Sequence, residues 1–494
     1  MPSRVLTRRA ALGALAAGFP AIGRSQLRRP NFLFVMTDDQ RFDAMSCAGN
    51  RFLATPHMDR IAREGVRFEN AFVTNALCSP SRATIVTGLY SHAHGVTTNG
   101  GRTHRLRPDQ VTFPLLLQRS GYFTALVGKW HIASDPTGFD HWCILPGQGD
   151  YQDPVMLVKG ARVRFRGQCE DVVGDQALET LRHRPKDKPF CLLYQFKAPH
   201  RDWRAADRFQ HVFRDVEFPE PPTFRTSLAD RPAAVRDSDM QIADMPDFAH
   251  RGVDPSLPRE ERRRLNYQVF LRNYYATLRG VDENLGRVLD YLDANGLAEN
   301  TVVIYTSDNG FFHGEYGMFD KRLMYEPSIR VPMLIRYPAG IRPGQVDAAH
   351  MVLNNDVAHT VLDYAGIERP AWMRHHGESW KPFLEGGSPS WRDAWFYQYF
   401  EYPGPHCVGQ IRGVRTRRWK LIHYIQQPQG HELFDLENDP GEQRNLYEDP
   451  GHRAQATELA ARLERFRDLL QDDRSADNTP LPECGGRMAP LPRP

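Results

Sequence analysis

Four short apolar runs, each ending in a polar cluster, organise the chain. Residues 31–36 lead into Thr37-Asp38-Asp39, and 122–127 lead into Gly128-Lys129-Trp130-His131. Residues 190–196 lead into Lys197-Ala198-Pro199-His200, and 301–306 into Ser307-Asp308-Asn309-Gly310. Apolar stretches of this length, bounded by turn-forming residues, predict buried strands of a mostly parallel sheet. Ligands of open α/β sheets bind beyond the carboxyl ends of the strands. Four polar clusters at four such ends therefore predict one site assembled from distant segments.

Helical periodicity fills the intervals. Thr55 caps and Pro56 opens a helix carrying Met58, Ile61 and Ala62, closed by Gly65. Residues 261–295 place Leu265, Leu278, Val281, Leu285, Val288, Leu289 and Leu292 near helical spacing. Residues 215–258 are rich in Pro, Asp and Arg and read as a long surface insertion. After Gly366-Ile367 the texture changes, with strand-like runs at 394–400, 418–424 and 432–436. The expected fold is α/β: a large, mostly parallel sheet flanked by helices, with a smaller C-terminal α+β subdomain. The division is a leader over 1–25, a first domain over 26–370, a subdomain over 371–472 and a poorly ordered polar tail over 473–494.

Composition narrows the possibilities. The 494 residues carry 63 Lys+Arg against 60 Asp+Glu, a balance that gives no reason to expect a nucleic-acid partner. No stretch reaches the roughly 20 apolar residues of a membrane span. Thr7-Arg8-Arg9 followed by the apolar run 10–19 reads as an export signal of the twin-arginine kind, which predicts a periplasmic or extracellular protein. Seven scattered cysteines without a CxxC pair form neither a disulfide framework nor a zinc site.

Candidate chemistry begins at Cys78-Ser79-Pro80-Ser81-Arg82. Pro80 suits the first helical position, which puts Cys78 just before a helix start, where free N–H groups favour an anion. Asp38, Asp39, Asp308 and Asn309 offer only oxygen ligands, the set that hard cations such as calcium prefer. Taken alone, an Asp-Asp pair after a strand more often marks a turn or a helix cap; two such clusters beside Cys78 point to a metal instead. Lys129, His131, His200 and Lys321 are cationic or titratable groups of the kind that stabilise transferred charge and move protons. Outside this context each also fits an ordinary surface or core residue.

The run from Cys78 to Arg82, continuing to Thr87-Gly88, resembles the signature of type I sulfatases of the alkaline-phosphatase-like superfamily. The only departure is Val86, where Leu is commoner. The resemblance extends in order through 37–40, 128–131, 198–200, 307–310, 320–321, 419–422 and 432–440, nearly the whole chain beyond the leader. It implies that Cys78 is oxidised to Cα-formylglycine by a transiently bound formylglycine-generating enzyme. It also implies that Asp38, Asp39, Asp308 and Asn309, with residue 78, bind calcium. By the same resemblance Arg82 holds the hydrated aldehyde, and Lys129 and Lys321 neutralise sulfate oxygens. His200 serves the leaving oxygen and His131 the later elimination.

The implied reaction is hydrolysis of sulfate esters. One hydroxyl of the aldehyde hydrate attacks sulfur, and the other expels sulfate afterwards, an exit that a serine ester would lack. The tracts 320–326 and 401–406 are most like bacterial sulfatases of sulfated amino sugars, glycosaminoglycans or mucin-type glycans, an argument by analogy. The rivals are a phosphate or phosphonate ester hydrolase of the same superfamily, and a non-catalytic protein that binds sulfated glycans. His406 reads as an ordinary loop residue as readily as a pocket residue.

Overall fold

The computed structural model describes residues 29–245, 251–370 and 372–481; the export segment expected over 1–25 lies outside them. Among the described residues sixteen strands run in chain order: β1 Asn31–Thr37, β2 Val66–Phe68, β3 Ala71–Phe72, β4 Phe123–Lys129, β5 His141–Leu145, β6 Val155–Val158, β7 Ala161–Arg164, β8 Phe190–Gln195, β9 Thr301–Ser307, β10 Met333–Arg336, β11 Gln345–Asp347, β12 Val352–Leu353, β13 Ala394–Tyr399, β14 Ile411–Thr416, β15 Trp419–Tyr424 and β16 Gly430–Asp435. Ten form one large sheet in the order β11-β2-β10-β9-β1-β8-β4-β5-β6-β7. The four apolar runs singled out above are its neighbouring central strands β9, β1, β8 and β4, mutually parallel. Towards the edges, β10 and the β6–β7 hairpin turn antiparallel, so the sheet is mixed around a parallel centre.

Strand periodicity explains why these runs are apolar throughout. Successive residues face opposite sides of a sheet. Phe32, Phe34 and Met36 of β1 enter one core and Leu33 and Val35 the other. Helices cover both faces. Cys78–Thr87, Phe113–Arg119 and Asp356–Tyr364 lie on the first, while Pro56–Arg63, Cys169–His183 and Arg259–Ala294 lie on the second.

The start of helix Pro56–Arg63 is solved differently from the expected cap. Thr55 stands at the N-cap position, but its hydroxyl donates to Asp59 Oδ1 (3.1 Å) and accepts from Ser46 N–H (2.9 Å), and it caps no N–H of the helix. Asp282 of the long helix instead accepts the N–H groups of His57 (3.1 Å) and Met58 (2.9 Å). A carboxylate there suits both the unsatisfied donors and the helix dipole.

The second sheet, β13-β14-β15-β16, is antiparallel. One face packs on helix Arg453–Leu470 through Phe396, Val414, Leu421, Leu433, Leu459 and Leu463. The other, with Trp395, Tyr397, Tyr399 and Ile422, joins the core of the first domain. Strand β14 breaks the apolar pattern because two of its arginines are buried in ion pairs. Arg412 meets Asp472 (2.7 Å) and Arg415 meets Glu326 (2.9 Å).

Two expectations need correction. The stretch read as a surface insertion buries Phe218, Phe224, Val235, Met240 and Ile242, and its Arg231 reaches Glu432 of β16 (3.0 Å), so it bridges the two sheets. The tail is held through Leu481: Arg467 pairs with Asp472 and Asp477, and Asn478 N–H donates to Ile425 O (2.8 Å). Its polar residues partner buried arginines, which composition alone cannot reveal. Residues 482–494 lie outside the described residues.

Candidate active site

Register brings the metal-type residues together. Thr37 of β1 pairs with Ser307 of β9, so Asp38-Asp39 and Asp308-Asn309 leave the sheet from adjacent parallel ends. Asp39 adopts φ 71°, a conformation uncommon for a residue with a side chain and typical of functional turns. Its N–H donates to Asp308 Oδ1 (3.1 Å). Carboxylate oxygens of Asp38, Asp39 and Asp308 lie within 4.8 Å of one another. Asp39 Oδ2 and Asn309 Oδ1 are buried without a hydrogen-bond partner. Burial, reinforced by Asp38 and Asp308, pushes Asp39 up to about 7 against the pull of Lys321. Buried acceptors crowded together and left unpaired are costly unless a cation joins them. The donor set is all oxygen, and it fits a hard divalent ion.

Cys78 is the first residue of its helix, with Leu77 at the N-cap; Pro80 therefore falls at the third helical position, two residues later than expected. Proline is still tolerated in the first turn, where no intrahelical N–H bond is lost. Cys78 is fully buried, and its Sγ lies 3.6 Å from Asp38 Oδ1 and clusters with His200. Burial and the nearby Asp38 hold its thiol well above the usual range, so as encoded it is a neutral thiol and a poor nucleophile.

Cations surround this centre. One turn along the helix, Arg82 is buried, donates from Nε to Asp308 Oδ2 (2.9 Å) and approaches Asp38 Oδ2 (3.4 Å). Lys129, at the end of β4, pairs with Asp38 and donates to Gln148 Oε1 (2.5 Å). Gly128 must precede it: at φ 101°, a Cβ there would meet Gln195 O at 1.7 Å. Lys321 Nζ donates to Asp39 Oδ1 (2.5 Å). Burial opposes ionisation of Asp38, but the cationic Lys129 and Arg82 hold it well below the usual carboxylate range.

The two histidines differ. His200 Nε2 stands 3.9 Å from Asp39 Oδ2, and its Nδ1 lies 2.6 Å from Arg201 O. A carbonyl only accepts, so Nδ1 carries the proton and Nε2 faces the site. His131 Nδ1 lies 3.4 Å from Ser79 Oγ, and His131 O accepts from that same hydroxyl. Burial, then Lys129, lowers both imidazoles and leaves them neutral.

All ten residues singled out in the sequence thus converge on one centre. Sequence reasoning missed its supports Gln195 and Gln148 and left His406 open between loop and pocket. Gln195 Oε1 accepts from Arg82 (3.2 Å) and stands at the carboxyl end of β8, where the strand-end rule marks it. Gln148 lies in a loop without a recognisable motif. His406 is buried, with Nε2 on Asp320 Oδ2 (3.0 Å) and Nδ1 on Asp239 O (2.7 Å), and so fixes the turn that presents Lys321. Arg322 pairs with Asp320 and with Glu401 (3.5 Å).

The sulfatase family model matches residues 30–367, the part of the chain that builds this centre. The chain belongs to the sulfatase family. A second model, the C-terminal part of N-sulphoglucosamine sulphohydrolase, matches residues 314–469 of this sulfatase. An N-acetylglucosamine-6-O-sulfatase of Bacteroides thetaiotaomicron is 40% identical over 96% of this chain and 92% of its own length. Human N-acetylglucosamine-6-sulfatase is 30% identical over 75% of the chain and 67% of its own length. A solved structure of a protein bound to its substrate, D-glucosamine-2-N,6-O-disulfate, is 40% identical to the sulfatase with a TM-score of 0.85, covering 90% of this chain and 99% of that one.

Proposed function

We propose that this sulfatase removes O-sulfate from sulfated amino sugars of the glycosaminoglycan or mucin type, with the 6-O-sulfate of glucosamine as its first candidate. The observation that carries the reading is the convergence of buried Asp38, Asp39, Asp308 and Asn309 on Cys78, ringed by Arg82, Lys129 and Lys321. The amino-sugar assignment rests on the 40%-identical relative and on the substrate-bound structure.

In this reading Asp38, Asp39, Asp308 and Asn309, with residue 78, hold calcium, and Cys78 is the precursor of formylglycine. When present, the two groups supply positive charge against sulfate oxygens and an oxygen nucleophile at position 78. The protein's own residues do the rest. Lys129 and Lys321 are tied to the metal carboxylates and project ammonium charge over the anion, stabilising charge that builds on sulfate oxygens. Arg82 fixes Asp308 and the helix turn below position 78. His200, proton on Nδ1, offers Nε2 to the ester oxygen, where bound anionic sulfate favours the imidazolium and thus proton donation to the leaving sugar hydroxyl. His131, held beside Ser79, lies on the position-78 side and serves the later release of sulfate. The modifying enzyme is a transient partner, and the sulfated sugar is the lasting one.

The test is sulfate release from 6-O-sulfated glucosamine, N-acetylated and N-sulfated, beside a phosphate monoester of the same sugar. The reading expects turnover of a sulfate ester to dominate. Preferential hydrolysis of the phosphate ester would overturn it.

A further inference from the structure

The outer edge of the large sheet carries cations that this chemistry does not use. Strands β6 and β7 form a hairpin closed by Lys159 and Gly160, both at positive φ (48° and 91°), the turn geometry that matches the twist of paired strands. The hairpin fixes its register, with Val155 opposite Arg164 and Val158 opposite Ala161. Alternate residues of a strand share a face. Arg162 and Arg164 therefore project together. The Phe165 N–H bond to Pro154 O (2.9 Å) continues the pairing one residue past the strand and leads the chain on to Arg166. Phe165 turns the other way and packs against the second core. All three arginines are exposed, and among the described residues none is joined to a carboxylate. Asp153, across the hairpin's open end, accepts from Gly167 N–H (2.7 Å) and Gln152 Nε2 (3.1 Å), and it feels the field of Arg166 and Arg164 without an ion pair to either.

This edge is continuous with the reactive centre. Leu145, the last residue of β5, pairs with Lys129, and Gln148 just beyond it accepts from Lys129 Nζ. Because β6 runs antiparallel to β5, the Val155–Arg164 end of the hairpin lies at the same end of the sheet as Lys129. Arg162 and Arg164, spaced about 7 Å apart along one strand face, thus stand on the edge strand three strands from Lys129, with Arg164 at the site's end of the sheet and Arg166 just beyond it. Guanidinium is well suited to bidentate binding of sulfate oxygens.

We propose that Arg162, Arg164 and Arg166 form an anion-binding track for the sulfated glycan chain that carries the reacting sugar. The proposal rests on the sulfatase reading and deepens it: the substrate is a sulfated oligosaccharide, bound beyond the sugar that loses its sulfate. Charges on an edge strand also discourage sheet-to-sheet pairing, and the test separates that role from this one.

The experiment compares the enzyme with an Arg162→Gln, Arg164→Gln, Arg166→Gln variant on a sulfated tetrasaccharide and on a 6-O-sulfated monosaccharide. For the tetrasaccharide, KM should rise roughly tenfold, since each exposed ion contact is worth only a few-fold. The difference should shrink as salt is added. Kinetics on the monosaccharide should not change. The Arg164→Gln variant should show a smaller part of the same effect with an unaltered melting temperature. An unchanged KM for the tetrasaccharide, or new aggregation as the sole consequence, would overturn the track. Failure of the unsubstituted enzyme to turn over either sugar would strike the activity instead. Direct titration with the tetrasaccharide would then decide the track, which predicts weaker binding by the triple variant.

Discussion

Thr37 and Ser307 are partners on neighbouring parallel strands, and that one pairing sets Asp38 beside Asp308 although 270 positions separate them. The next step along each strand sets Asp39 beside Asn309, whose Nδ2 donates to Asp39 Oδ1 (2.6 Å). A slip of one residue would send these side chains to opposite faces.

The metal reading follows from this pairing. Asp308→Ala should remove a ligand and an anchor of Arg82 at once, lowering turnover by roughly 10²–10³ or more, the scale on which a lost charge-stabilising group acts. Calcium should raise the melting temperature of the unsubstituted enzyme and not of the variant, because only a folded site binds the ion. Activity that survives exhaustive chelation would contradict the assignment.

Much of this centre was legible in the sequence because its parts end strands. Asp38, Lys129, His200 and Asp308 each follow an apolar run, and the strand-end rule needs only those runs to be parallel and adjacent. What stayed hidden is held by long-range pairing. Arg412 and Arg415 made β14 look polar, and Asp472 and Asp477 made a packed segment look like a tail. Arg412 and Arg415 are matched by Asp472 and Glu326, 60 and 89 positions away, and Asp477 is matched by the buried Arg467 of the preceding helix. His406 was ambiguous for the same reason: its partner Asp320 is 86 positions away.

His200 gives a prediction about leaving groups. His200→Ala should slow hydrolysis of a sugar sulfate far more than that of an activated aryl sulfate, because an aryloxide departs without a proton and an alkoxide does not. Comparison of kcat for the two ester types checks this. Equal losses would remove His200 from the acid role.

Glu442 gives a prediction about pH. It accepts from Lys420 Nζ (2.6 Å) and from Glu326 N–H (2.8 Å) between the two sheets. Burial pushes it from an ordinary value of 4.5 up to about 7, against the pull of Lys420. The folded form then keeps a proton that the unfolded form releases, so this group makes the protein less stable as pH rises through that window. Glu442→Gln should flatten the fall in unfolding free energy between about pH 5 and about pH 8, measured by denaturant titration. An unaltered slope would show that Glu442 titrates normally.

The expected export signal gives a prediction about routing. If Arg8-Arg9 marks a twin-arginine signal, the chain leaves the cytoplasm folded, and a Cys78 destined for oxidation can be oxidised before it leaves. Changing Arg8 and Arg9 to Lys should leave active enzyme inside the cell, as cell fractionation would show. Undiminished secretion of that variant would refute this route.

The proposed working group at position 78 is an aldehyde made from Cys78. The tryptic peptide from Phe68 to Arg82 contains that position and can be weighed directly. The expected peptide is lighter than the encoded one by the difference between –CH2SH and –CHO, reactive with hydrazide reagents and present in proportion to sulfatase activity. A fully active preparation in which that peptide carries an intact thiol would contradict it.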